Sequence, residues 1–328
     1  MMRSTKTKSE LLCFYLPFFI IVIFGIILRL DQFTQQVLLD DEWHAIHQLL
    51  KGHPEKLFLT FGHADFSIPL ALLYWLQLNL FGLSETGMRW PMMLAGISTL
   101  VAFPLYIRKF FDNKTTLIFS LLLSLSPLLV IYSRTARPYS ITLLLSLVAV
   151  AAFYKFVSVE KSTWKPGLTY VSCALLSAWL HLITLPMLVA PFIIIGFPLI
   201  LRRDWKKTRR VIYLGGLLTA GLLILVLPPL LEHPEALVNK LGVHTPELRT
   251  LYGALFTWLG VSSTLLMLTG VLLAITGARQ SWQRFPIMPS LIAGIGLTLV
   301  AILLTQPAWI RNPLTFSRYL LPMIPLLL

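Results

Sequence analysis

Charged residues are scarce in this chain. Asp, Glu, Lys and Arg together make up 12% of 328 residues, where soluble domains run nearer one quarter. So few charges cannot cover a water-facing surface, which excludes an ordinary soluble protein. Cysteine is scarcer still. Cys13 and Cys173 are the two present, both inside apolar runs, and they give no disulfide framework. Alternation of polar and apolar residues is also missing: the apolar runs are continuous, which excludes a membrane β-barrel. There is no internal repeat, no low-complexity tract and no separate soluble domain.

What fills the chain is apolar. Hydrophobic residues make up 56% and the mean hydropathy is +0.77. Several runs approach or exceed the roughly 20 residues that cross a bilayer as helix, the form that satisfies every backbone group without water. Spans are expected near 11–30, 89–107, 115–132, 138–157, 168–182, 184–201, 211–231, 251–277 and 287–305, with a last one starting near 318. The predicted fold is therefore all-α: one polytopic membrane helical bundle of about 10 transmembrane helices over residues 1–328. The stretch 68–82 carries Pro69 and is short, which suits an interfacial or re-entrant helix. The run from Leu11 to Leu30 lacks a small-residue cleavage site and reads as a retained first helix. The chain ends at Leu328, inside an apolar run too short to span. That reads as a truncated C-terminus or a half-inserted segment.

The formal net charge is +13. In a soluble protein this would point to nucleic acid. Here the basic residues sit in short loops, so topology accounts for them and no nucleic-acid partner is expected. With the N-terminus in the cytoplasm and 68–82 not spanning, 17 of the 27 Lys and Arg fall inside, including the run RRDWKKTRR. Loop 31–88 then lies outside. It holds seven of the 14 carboxylates and four of the seven histidines.

Three segments carry chemistry. In LDDEWHAIHQLLKG, Asp40 and His44 are four apart, and Asp41 and His44 three apart, so on a helix they share a face. A carboxylate beside an imidazole is a candidate general base. Acids at a helix start also complement the dipole and cap free N–H groups, and residue types alone leave both readings open. A divalent metal on Asp41, Glu42 and the histidines is a further reading, for which no spacing is diagnostic. The second segment places His63 and Asp65 ahead of the short apolar helix; on residue types alone, ordinary interface anchoring is the favoured account. The third, Tyr132-Ser133-Arg134-Thr135-Ala136-Arg137-Pro138-Tyr139, puts two arginines on the outer side, against the positive-inside bias. The guanidinium fork suits phosphate, and snorkelling at a helix end accounts for them equally well. Arg318 falls at the same predicted edge and could join them. His181 reads as a bundle-packing residue within a span.

Taken in order, LDDEWHAIHQLLKG, HADFSIPLALLYWL, LFGLSETGMRWPMMLAG, SPLLVIYSRTARPYSITLLL and SRYLLPMIP resemble the polyprenyl-phosphate-dependent glycosyltransferases of the GT-C superfamily. The chain looks most like the branch related to the protein O-mannosyltransferases and to the lipid A aminoarabinose transferase (glycosyltransferase family 39-type). The resemblance implies a membrane enzyme that takes a sugar from a polyprenyl-phosphate carrier. It would pass that sugar to a glycan, lipid or protein acceptor outside the cytoplasm, as in a bacterial inner membrane. It also implies roles. Asp41, with Asp40 close behind, would be the base, and Glu42 the second acid of the pair. Arg134, Arg137 and, less directly, Arg318 would hold the carrier phosphate. His63, Asp65, His44 and Tyr139 would position acceptor or donor. No cofactor is implied with certainty; a divalent metal is left open. The chain departs from the family in having one proline, Pro69, where two are usual, and its 328 residues are expected to hold no counterpart of the soluble domain many relatives carry. Those departures bear on the acceptor more than on the donor. A transporter or flippase, or a non-catalytic subunit handling lipid-linked saccharides, is the competing reading.

Overall fold

The computed structural model describes residues 8–38, 40–50, 54–59, 67–159, 163–232, 234 and 241–328. It is helical, with no strand among the described residues. Six helices there are long and apolar enough to cross a membrane, or eight if each of two bent pairs counts as one span. The protein is an integral membrane protein.

The first span, α1 (Lys8–Leu30), packs one stripe inward. Phe14, Phe18 and Val22 are buried, while Leu12, Leu16, Phe19 and Ile20 stay exposed. Lipid tails are as apolar as these side chains, so such exposure carries no penalty, and close packing rather than apolar burial holds the helices together. Next come α2 (Asp40–Leu50), α3 (Pro54–Phe58) and α4 (Ile68–Phe81). At 14 residues α4 is short for a span, as its sequence predicts. Ser84 then caps α5 (Glu85–Ile107), its hydroxyl accepting the Gly87 N–H at 3.0 Å.

Proline shapes the following stretch. A residue before proline is pushed out of helical conformation, and Ser126, which precedes Pro127, sits at φ −58°, ψ 113°. So α6 (Asn113–Leu125) ends there and α7 (Pro127–Ser133) leaves at a 58° bend. The run 115–132 is thus a broken span. Arg29 exploits the break: buried, it donates to the carbonyls of Gly25 at 2.9 Å and Ser124 at 3.2 Å. A cation at a helix C-terminus complements the dipole. Gly96 lets α7 lie against α5, because a Cβ there would stand 2.5 Å from that of Ser133.

After a turn at 134–138, α8 (Tyr139–Ser158) and α9 (Trp164–Leu180) pack side by side. The stretch Leu182–Leu201 follows as one span containing a π-helical turn at Phe192–Gly196. Further on come α10 (Trp205–Leu225), α11 (Leu248–Leu259) and α12 (Thr264–Ser281). The last two are bent 77° apart at Gly260, which has a left-handed φ of 66°. Then α13 (Met288–Thr305) precedes two short helices, α14 (Pro313–Tyr319) and α15 (Met323–Leu327), where the last span was expected.

Candidate active site

The site is built where α2 packs against α4 and, through Glu42, against α5 and the turn at 134–138. Leu38, Ala45, Leu70, Tyr74, Met88, Met92, Ala136 and Leu180 form a buried cluster beneath it. Tyr74 binds three elements together, its hydroxyl donating to the carbonyls of Met88 at 3.1 Å and Ala136 at 3.3 Å. This fixes the arginine turn against α4 and α5.

Consecutive positions on a helix point about 100° apart, so Asp41 and Glu42 of α2 meet different surroundings. Glu42 is 1% exposed. Arg89 donates to both its oxygens, Nε to Oε1 at 3.0 Å and Nη2 to Oε2 at 2.8 Å, and the Ala136 N–H donates to Oε1 as well. Arg89 also donates to the carbonyls of Gln36 at 2.6 Å and Val37 at 2.7 Å. The pair is bidentate, buried and hydrogen-bonded on both sides, the condition under which a buried ion pair holds.

Asp41 faces outward, its side chain 46% exposed. Its Oδ2 accepts from Nη1 of Arg318, and its carbonyl accepts from Nη1 of Arg137 at 3.2 Å. Burial pushes its carboxyl up. Arg318, by charge and hydrogen bond, with Arg137 and His44 behind it, outweighs this and holds it below the usual carboxylate range. Asp41 is therefore ionised at neutral pH.

An aromatic set surrounds the two cations. The Tyr139 ring centroid lies 5.4 Å from the Arg318 guanidinium and 5.9 Å from that of Arg137, within cation–π range. Tyr319 lies 5.5 Å from Arg318. His181 stands between the two tyrosines, 5.6 Å from each ring. A small cavity of about 20 Å³ is lined by Arg318 together with Tyr139, Thr142, Ser146, His181 and Thr298. Among the described residues, the Tyr139 hydroxyl and Arg318 Nε have no hydrogen-bond partner.

The expected residues sort as follows. Asp41, Arg137, Arg318 and Tyr139 are brought together, with His44 close enough to act on the Asp41 charge. Arg134 lies on the same turn but donates to the Asp31 carbonyl at 2.5 Å, past the end of α1. Asp40 begins α2, and its side chain, like His63 and Asp65, lies outside the described residues. No group of three His, Cys, Asp or Glu among the described residues could hold a metal ion, and the Glu42 oxygens are already taken by Arg89 and Ala136. Sequence reading missed two participants. One is Arg89 as the partner of Glu42. The other is His181, which caps the end of α9 in extended conformation (φ −160°, ψ 109°) rather than sitting mid-helix. The signal available for His181 was its place between two apolar runs.

A family profile described as Dolichyl-phosphate-mannose-protein mannosyltransferase matches residues 67–231, half of the chain. The chain belongs to this family. The matched region contains Arg89, Arg134, Arg137, Tyr139 and His181; Asp41 and Arg318 lie on either side of it. Two crystal structures of ArnT from Cupriavidus metallidurans share the fold. The one bound to undecaprenyl phosphate aligns at TM-score 0.59 with 13% identity over 98% of this chain. The apo structure aligns at 0.60 with 14% identity over 97%. The chain spans 59% of the length of those structures. No curated protein sequence matches it. Family and fold thus agree with the resemblance read from the motifs, that of a GT-C superfamily glycosyltransferase.

Proposed function

We propose that this protein transfers a sugar from a polyprenyl-phosphate carrier to a hydroxyl-bearing acceptor on the extracytoplasmic face of a bacterial inner membrane. The observation that carries this reading is the contact of Asp41 with Arg318 at the head of an aromatic-lined cavity, with Arg137 on the same residue. One of the similar structures, ArnT, is bound to undecaprenyl phosphate, and a carrier of that class is what two convergent guanidinium groups suit.

The reaction is a single displacement. The acceptor oxygen attacks the anomeric carbon and forms the new glycosidic bond. The bond from that carbon to the phosphate oxygen breaks, and its electron pair leaves with the polyprenyl phosphate. The acceptor proton passes to the Asp41 carboxylate and then to solvent. Configuration inverts. Arg318 and Arg137 stabilise the charge that grows on the departing phosphate, where preorganised cations contribute most. Arg318 holds Asp41 ionised in the resting enzyme and turns toward the phosphate when donor arrives. Tyr139, Tyr319 and His181 form the wall against which the donor sugar lies. The basic loops set the orientation, with loop 31–88 outside.

The test is sugar transfer by the purified protein in detergent, over a panel of polyprenyl-phosphate sugars, with Asp41→Asn as control. Transfer or slow hydrolysis from one donor, lost in the variant, supports the reading and names the sugar. Carrier binding with no turnover of any donor would overturn it in favour of a transporter or a non-catalytic subunit.

A further inference from the structure

Helices α5 and α8 run side by side in the same direction. Their N-terminal ends carry Arg89 and Tyr139, at the site; their C-terminal ends lie toward the opposite leaflet. Between them, away from the site, is a groove of about 420 Å³. Its walls are apolar: Phe103 and Leu147 at the back, with Val148 and Ala151 along one side. Small side chains at Ala102, Ala151 and Ala152 make the recess. The charged residues lining it are Lys109, just past the end of α5, and Lys155, in the last turn of α8. Both are exposed. Lys109 has the Tyr106 ring 5.2 Å from its Nζ, and among the described residues neither lysine has a carboxylate partner.

An apolar groove in a bilayer fills with an acyl chain at no cost. Two ammonium groups at its headgroup end add something the surrounding lipid does not select: attraction to phosphate. Basic pockets between transmembrane helices recognise anionic lipid headgroups in this way. A second copy of the chain related by a two-fold axis would bring lysine pairs face to face, which argues against that occupant. We infer that the groove between α5 and α8 is a binding site for an anionic glycerophospholipid. One acyl chain lies against Phe103, Leu147 and Val148, and the phosphate is held by Lys109 and Lys155. This site is separate from sugar transfer and lies in the opposite leaflet.

The test is titration of the purified, detergent-solubilised protein with phosphatidylglycerol or phosphatidylcholine, with bound lipid counted by native mass spectrometry. Saturable retention of phosphatidylglycerol over phosphatidylcholine is expected. Lys109→Gln with Lys155→Gln should weaken it about thirtyfold, at roughly fivefold per lysine. The double arginine variant should retain it, which separates lost charge from lost folding. Ala151→Phe, which fills the recess, should lower retention with both lysines in place. Equal retention of the two lipids, or undiminished retention in the double glutamine variant, would overturn the assignment. So would displacement by glycerol 3-phosphate as effective as displacement by lipid, because the groove would then contribute nothing. Donor turnover is measured separately, and its absence would not affect the lipid result.

Discussion

Glu42 is locked to Arg89 by two hydrogen bonds of 3.0 and 2.8 Å, both side chains almost wholly buried. The preceding residue, Asp41, is left to face Arg318. Two adjacent acids on one helix therefore take different work. Glu42 holds α2 against α5 and against the arginine turn, and Asp41 is left half-exposed beside Arg318 and Arg137.

Breaking the buried pair should be costly. Removing one partner leaves the other charge buried and alone, at about 3–5 kcal/mol. Glu42→Gln and Arg89→Ala should each lower the thermal unfolding temperature in detergent markedly, and lower transfer with it. Asp41→Asn, which breaks a pair whose carboxylate is half-exposed, should lower the unfolding temperature less. If Glu42→Gln is as stable as the parent, the pair does not anchor the loop.

Asp41→Asn should lower the transfer rate by about 10²–10⁴-fold, the usual contribution of a positioned general base. Binding of polyprenyl phosphate should be nearly intact, because Arg137 and Arg318 remain. Transfer at the parental rate would remove Asp41 from the role of base.

Arg137→Ala should act on the carrier instead. A charge-assisted hydrogen bond contributes about 1.5–3 kcal/mol, so the dissociation constant for polyprenyl phosphate should rise about 10- to 150-fold. A loss confined to kcat at unchanged binding would show that Arg137 acts on something other than the ground-state phosphate.

The pH dependence follows from what surrounds Asp41. Its carboxyl titrates below its ordinary value of 3.8 in the folded protein. The stability it contributes is present above that ordinary value and is lost as the pH falls through the lower folded one. Activity that needs the carboxylate should fail over the same acid range. Arg318→Gln removes the largest influence opposing burial, so the acid limb of kcat/KM should move toward neutral pH. An unmoved limb would mean that another group sets it.

Gly96→Ala should displace the arginine turn. The added methyl would meet the Ser133 Cβ at 2.5 Å, and overpacking of this kind typically costs about 1–3 kcal/mol. Pairing it with Ser133→Gly should restore much of the loss, measured as unfolding temperature and carrier affinity together.

How far each feature could be read from the chain depends on how local its cause is. Hydropathy acts over a few turns of helix, so the membrane class, the all-α fold and the shortness of the apolar helix Ile68–Phe81 were visible in composition and run length. The break at Pro127 is local too, being a clash between neighbouring residues, although the expected span over 115–132 passed across it. The acidic loop and the arginine turn stood out because both set charge against an apolar background. Partnership was not visible. Asp41 and Arg318 are 277 positions apart, Glu42 and Arg89 are 47 apart, and His181 joins the site because α9 ends within reach of both Tyr139 and Tyr319. A sequence states which groups are ionisable. Which of them face each other, and hence which acid is buried and which is open to substrate, is decided by helix packing, because a one-residue step on α2 turns a side chain by about 100°.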